Sequence, residues 1–481
     1  MSRSIQSIVQ FIRGALQVFS VVGIMLVTSH AQRSGPQGAW KNIGIRTIVP
    51  EKSYALDELI DIAEQNNPRT RIAWEQAKSA AERAGIARSD YFPKLTGVTS
   101  SGDERIINPF PKPLAPLGYT MVEIPAVESG LGLEYTVYDF GRRKAALDSK
   151  LAKWSSENEL YQRSIQDVSY RVELAYYQLV AAIEKSEADR KILETARVTQ
   201  AAAEAQLENG RSTLPDVLNA RAGTAEAEYD LESASGDESV ARVRLREVLG
   251  LEPSDEISIL DPSTAPSADA LSVSVLKHVE EAVQQRPDLR AFSERINAAK
   301  ADVKAAEAAF RPSIQFQSRA GSQTFWESVS QPADTTQFVW QVGLRLKWEL
   351  FDGGARKHEV LERQSELRKA NEELREKRDE ISRDTWTAYV RLRTASRQYE
   401  SAQILLKSAQ SSYDASMEAY GYGVKNLVDV VTAEAKLSKA RIAVVQAKFA
   451  VFTGAANLQY TVGTLLEKKS DAATSTPKAD K

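Results

Sequence analysis

Tyr138-Asp139-Phe140-Gly141 returns as Phe351-Asp352-Gly353-Gly354, and Gly210-Arg211-Ser212-Thr213-Leu214-Pro215-Asp216-Val217-Leu218-Asn219-Ala220 returns as Gly423-Val424-Lys425-Asn426-Leu427-Val428-Asp429-Val430-Val431-Thr432-Ala433. Both pairs are 213 positions apart (351 − 138; 423 − 210), so no net insertion separates the copies. Self-similarity at a fixed spacing marks a repeated structural unit and is read before local structure. The chain is therefore expected to hold two equivalent halves, residues 54–274 and 275–466. Each half has the order helix, two strands, long helix and return helix, and residues 252–274 form an equatorial segment between them.

Upstream of the first motif in each half, the sequence alternates. Leu131, Leu133, Tyr135 and Val137 alternate with Gly132, Glu134, Thr136 and Tyr138. In the second half Val342, Leu344, Leu346, Trp348 and Leu350 alternate with Gly343, Arg345, Lys347 and Glu349. A period of two gives a strand with one apolar and one polar face. At ~10 residues such strands have the length that crosses a bilayer when tilted. The lipid-facing set is then Leu133, Tyr135, Leu344, Leu346 and Trp348, and Arg345, Lys347 and Glu349 face a lumen. Ile314, Phe316, Ser318 and Ala320 alternate likewise, whereas residues 95–101 read as a strand mainly by repeat symmetry. Residues 102–128 and 321–338 read as long polar loops joining each strand pair.

Downstream of the motif run helices from about Gly141 to Asn209 and from about Gly354 to Tyr422. Each has ~68 residues, or ~100 Å at 1.5 Å per residue, beyond any ordinary globular helix. Tyr399, Ala402, Leu406, Ala409, Tyr413, Ser416 and Tyr420 form a seam in the second, and Leu193, Ala196, Ala203 and Leu207 in the first. Spacings of three and four with many alanines predict coiled-coil packing. Gly210 and Gly423 end the long helices, and return helices follow over about Leu214 to Leu249 and Leu427 to Leu466. Shorter helices precede the strands, from Leu56 to Arg88 with an interruption at Pro68, and from Val275 to Phe310. Each return helix plus one short helix matches a long helix in length. The first return helix is expected to stack on the helix from Val275, and the last on the helix from Leu56.

The chain has 481 residues, no cysteine, 7% aromatics, 26% charged residues and a net charge of −3. The absence of cysteine excludes disulfides, thiolate metal sites and a lipid-modified cysteine. The charge balance argues against nucleic-acid binding. Residues 1–31 read as a secretory signal peptide, with Arg3 and Arg13, an apolar run from Ala15 to Val27 and the exit Ser29-His30-Ala31. Residues 32–53 read as an N-terminal linker, and 467–481 as a disordered tail. No histidine has metal-ligand spacing, no phosphate-cradling loop is present, and carboxylates lie on charged helix faces. No cofactor or enzymatic site is expected.

Four strands cannot close a barrel, and an open edge in lipid leaves backbone groups unsatisfied. The chain must therefore oligomerise. Two copies give eight strands, whose interior side chains nearly fill. Three give twelve, the smallest such count with room for a passage. The fold class expected is mainly α with a membrane β-barrel portion: a long coiled-coil barrel plus four strands per chain, twelve in a homotrimer.

The repeated halves, the strand–helix joints and the Gly-(x)5-Asp-Val turns resemble the outer-membrane efflux protein family over about Tyr54 to Leu466. The resemblance implies a trimeric outer-membrane channel with a helical tunnel in the periplasm. It implies docking to an inner-membrane transporter of RND or ABC type through a periplasmic adaptor protein, and export of small molecules or proteins. It also implies that the helix–turn–helix ends are the periplasmic tip and adaptor contact, at Gly210, Arg211, Leu214, Gly423, Val424, Lys425 and Leu427. The tip constriction falls on Asp216, Asp429 and Thr432, with Thr432 where a second acid is found in some members. Both aspartates read equally well as first-turn acids stabilised by the helix dipole. The rival reading is an exported coiled-coil scaffold that binds partners without a pore.

Overall fold

A computed structural model describes residues 52–109, 116–260, 273–326 and 335–465. The signal peptide, nearly all of the N-terminal linker, residues 261–272 of the equatorial segment, the outer ends of the strand-connecting loops and the tail lie outside the described residues.

The first repeat comprises β1 (Ser53–Tyr54), α1 (Leu56–Asn66), α2 (Pro68–Ser89), β2 (Lys94–Pro109), β3 (Tyr119–Tyr138), α3 (Arg142–Glu208) and α4 (Leu214–Leu249). The second comprises β4 (Ser258–Ile259), α5 (Val275–Gln285), α6 (Pro287–Ala308), β5 (Ser313–Phe325), β6 (Thr335–Lys347), α7 (Ala355–Gly421) and α8 (Leu427–Val462). The two long helices each have 67 residues and the two return helices 36, so the repeat holds to the residue across strand, turn and helix. The seam residues Leu193, Ala196, Ala203, Ala402, Ala409, Tyr413, Ser416 and Tyr420 are buried, while Leu207 and Leu406 pack from the edge. No helix among the described residues is long and apolar enough to cross a membrane.

Four features differ from the sequence reading. The helix from Val275 to Phe310 is broken, because Pro287 starts α6 and forces Arg286 into an extended conformation (φ −67°, ψ 124°), as Pro68 does to Asn67 (φ −68°, ψ 127°). The last return helix stops at Val462 rather than Leu466, since Gly463 adopts φ +91°.

The strands are also longer and the loops shorter. β2 pairs with β3 without interruption from Lys94↔Glu134 to Pro109↔Tyr119, and β5 with β6 from Ser313↔Lys347 to Phe325↔Thr335. Once a hairpin is in register, the backbone ladder continues through polar residues that show no two-faced alternation. Even Pro125 is accommodated, opposite Asp103.

Finally, the end-to-end partners are exchanged. α4 ends against the α1–α2 junction of its own repeat, where the Asn67 side chain donates to Val248 O at 2.7 Å. α8 ends against the α5–α6 junction, where Arg286 Nη1 donates to Thr461 O at 3.2 Å. Equal helix lengths in the two repeats leave the sum unable to choose, and these caps on the last-turn carbonyls decide it.

The sheet order is β2-β3-β5-β6, antiparallel throughout. Above the tips, α1, α3 and α4 close a core around Leu59, Val168, Val172, Leu179, Leu245 and Leu249.

Candidate functional site: a two-faced sheet and two helical tips

Residues directly opposite in an antiparallel pair share a face, so the registers sort the whole sheet. One face carries Leu95, Leu131, Leu133, Tyr135, Ile314, Phe316, Trp340, Val342, Leu344 and Leu346. The other carries Lys94, Thr96, Glu128, Glu134, Thr136, Gln315, Gln317, Arg319, Arg345 and Lys347. Within one chain the apolar face is uncovered, with Leu344 71% and Leu346 65% exposed. A contiguous apolar surface of this kind needs a nonaqueous covering. Among the described residues nothing pairs with the outer edge of β2 or β6. Trp348 and Glu349, read from sequence as strand residues, fall beyond β6. There the Trp348 indole donates to Phe310 O at 3.2 Å.

The joint between sheet and shaft explains the first repeated motif and adds a residue to it. Asp139 Oδ2 accepts from Arg143 backbone N and Nε, both at 2.9 Å. Asp352 Oδ2 accepts from Arg356 N at 3.0 Å and Nε at 2.6 Å, and Gly354 N donates to Oδ1 at 3.0 Å. The Arg356 guanidinium, then its backbone N–H, pulls the Asp352 carboxyl down to about 2. Gly141 and Gly354 at φ +89° and +93° turn the chain into the helix. The working motif is thus Asp-x-Gly-x-Arg. Its arginine escaped the sequence reading, although it recurs at the same offset.

At the tips both long helices end in the same way. Gly210 (φ +68°) and Gly423 (φ +73°) let the next N–H return five residues, Arg211 N to Gln206 O at 2.8 Å and Val424 N to Ala419 O at 2.9 Å. The two tips then diverge. Asp216 Oδ2 takes the Thr213 hydroxyl at 2.7 Å and the Thr213 N–H at 3.1 Å, and these bonds lower its pKa. At the equivalent place Asp429 is exposed. Its N–H is capped by Asn426 Oδ1 at 2.9 Å, and its carboxylate has no partner among the described residues. Asp216 is therefore a capping acid, and Asp429 is a free one.

Leu214 is 59% exposed, whereas Leu427, expected as a contact residue, is buried at 4% inside the hairpin. The exposed apolar surface at the second tip comes instead from Tyr422, Val424, Val428 and Val431. Arg211 and Thr432 are exposed, and Lys425 Nζ reaches Ser416 Oγ at 3.2 Å.

A polar seam above the tips ties the repeats together and left no local signal in the sequence. Thr199 Oγ1 donates to Glu434 Oε2 at 2.7 Å and lies 3.2 Å from Tyr413 OH. Arg441 Nη1 donates to Lys191 O and Thr195 Oγ1, both at 3.0 Å. Burial pushes the Glu434 carboxyl up against the opposing pull of Thr199 and Arg441.

Comparison with known proteins accounts for this architecture. The family model for the outer membrane efflux protein matches residues 59–251 and 278–464. Protein CyaE of Bordetella pertussis is 26% identical over 387 residues, covering 80% of this chain and 79% of CyaE. The outer-membrane channel OprN shares the fold with TM-score 0.73 at 20% identity, over 85% of this chain and 90% of OprN. The outer membrane protein VceC of Vibrio cholerae does so with TM-score 0.72 at 19% identity, over 85% and 96%. With these matches, the uncovered apolar face belongs in the outer membrane and the helices in the periplasm. The chain is a member of the outer membrane efflux protein family, the outer-membrane channel components of bacterial efflux and type I secretion systems.

Proposed function

We propose that three copies close their sheets edge to edge, β6 of one against β2 of the next, into a twelve-stranded barrel continuous with a periplasmic helical tunnel. The observation that carries this is the sheet itself, apolar on one face, charged on the other and open at both edges. A bilayer tolerates it only when closed. The conduit is passive, not an enzyme, and energy comes from an inner-membrane transporter of RND or ABC type reached through a periplasmic adaptor.

The tips are the gate. Gly210, Arg211, Leu214, Gly423, Val424 and Lys425 form the adaptor-facing surface, and Leu427 supports it from inside. Asp429 lines the constriction, and Thr432 follows it on the same helix. Asp216 holds its own tip in shape.

Gly423→Val tests this assignment. A side chain at φ +73° costs about 1–2 kcal/mol. Nothing lies within 4 Å of the added Cβ, so the damage is confined to the turn. Export, read as sensitivity to a toxic cargo, is expected to fall while the heat-resistant trimer remains at its normal level. Unimpaired export with a normal trimer level refutes the tip assignment.

A further inference from the structure

We infer that Arg345 and Lys347 form an uncompensated cationic belt inside the periplasmic mouth of the barrel, biasing the pore toward anionic cargo; the inference rests on the barrel proposed above. On the polar face the other bases are matched. Lys94 stands opposite Glu134 and lies 3.0 Å from Asp90, and Arg319 lies 2.9 Å from Glu128. Arg345 instead faces Gln315 across the ladder and Lys347 faces Ser313. Both are exposed, and among the described residues neither has a hydrogen-bond or ion-pair partner.

Closure of the barrel does not supply the missing acid. The strand that β6 meets is the β2 of the next copy, whose polar face begins Lys94, Thr96, Val98 at that end. The nearest carboxylate along the chain is Glu349, beyond the strand in the joint, one acid against two bases. Each copy therefore adds net positive charge at one level of the wall. Rings of charged side chains set which ions a pore admits. The cargo favoured at this level carries carboxylate, sulfonate or phosphate. The exposed Asp429 at the far end works in the opposite sense, so the belt is read as a difference between variants.

The experiment is reversal potential across planar lipid bilayers holding the purified full-length trimer, under a potassium chloride gradient. Arg345→Gln with Lys347→Gln is expected to lower the chloride-to-potassium permeability ratio roughly two- to fivefold at ~0.01 M salt, where screening extends ~30 Å. The difference should fade toward ~1 M, where screening reaches only ~3 Å. Each single variant should move the ratio part of the way, so the result does not depend on the double variant assembling. Arg345→Lys with Lys347→Arg should keep the wild-type ratio, because charge and not shape is at stake. Conducting trimers whose ratio is the same with and without the two bases overturn the belt and leave the channel standing. Trimers that assemble but never conduct overturn the channel reading and the belt with it.

Discussion

Two glycines on the polar face of the sheet are close enough to make one methyl group decisive. Gly321 in β5 stands opposite Gly130 in β3. A Cβ built on Gly321 would lie 2.3 Å from Ser129 O and 2.6 Å from Gly130 Cα, and one on Gly130 would lie 2.8 Å from Ala320 O. All of these neighbours are backbone, so no rotamer change relieves the contact and the two strands must move apart. Gly343, on the same face in β6, has nothing within 4 Å of its Cβ position.

Gly321→Ala therefore adds an overpacking cost of about 1–3 kcal/mol, offset by the ~0.5–1 kcal/mol that alanine gains over glycine within a strand. Gly343→Ala takes only the gain. The expected order of trimer dissociation temperature is Gly343→Ala at or above wild type, with Gly321→Ala well below both. Heat-modifiable mobility on gels, with the three proteins folded side by side, reads it directly. Gly130→Ala with Gly321→Ala should cost less than the sum of the single changes, because both relieve themselves by the same separation. A Gly321→Ala trimer as heat-resistant as Gly343→Ala would refute the close approach.

Leu346→Arg puts a guanidinium on the apolar face of β6 and is expected to cost ~2–4 kcal/mol near the bilayer midplane, read as loss of assembled trimer; normal assembly would mean that this face meets water. Glu434→Gln keeps an oxygen for the Thr199 hydroxyl and removes a buried charge. Because burial raises the folded-state pKa of Glu434 above its ordinary 4.5, the folded form binds the proton more tightly, and wild-type stability falls as pH rises through that window. The variant should therefore match or exceed wild type in heat resistance at pH 7. That difference should vanish below about pH 4.5, where wild-type Glu434 is protonated in both states. A variant less stable at pH 7 than at pH 4 relative to wild type would reverse the sign of the argument.

The sequence by itself determined what depends on neighbours in the chain. Gly210 and Gly423 end helices because they alone turn the backbone left-handed there, so both 67-residue helices were bounded to within a residue. The two-residue period of Leu344, Leu346, Arg345 and Lys347 sorted one face from the other before any register was known, and the equal offsets announced the repeat.

What only the tertiary structure decided depends on partners far apart in the chain. Leu214 and Leu427 are equivalent in the repeat, yet one is exposed and the other buried, because their surroundings come from different helices. Asp216 and Asp429 separate in the same way, through Thr213 at one tip and Asn426 at the other. The choice of stacked helices rests on Asn67 reaching Val248 and Arg286 reaching Thr461, contacts across more than a hundred residues. The seam joining Thr199 to Glu434 likewise has no period to betray it. Local backbone preference is written in adjacent residues, whereas the burial of a given side chain is a property of whatever folds against it.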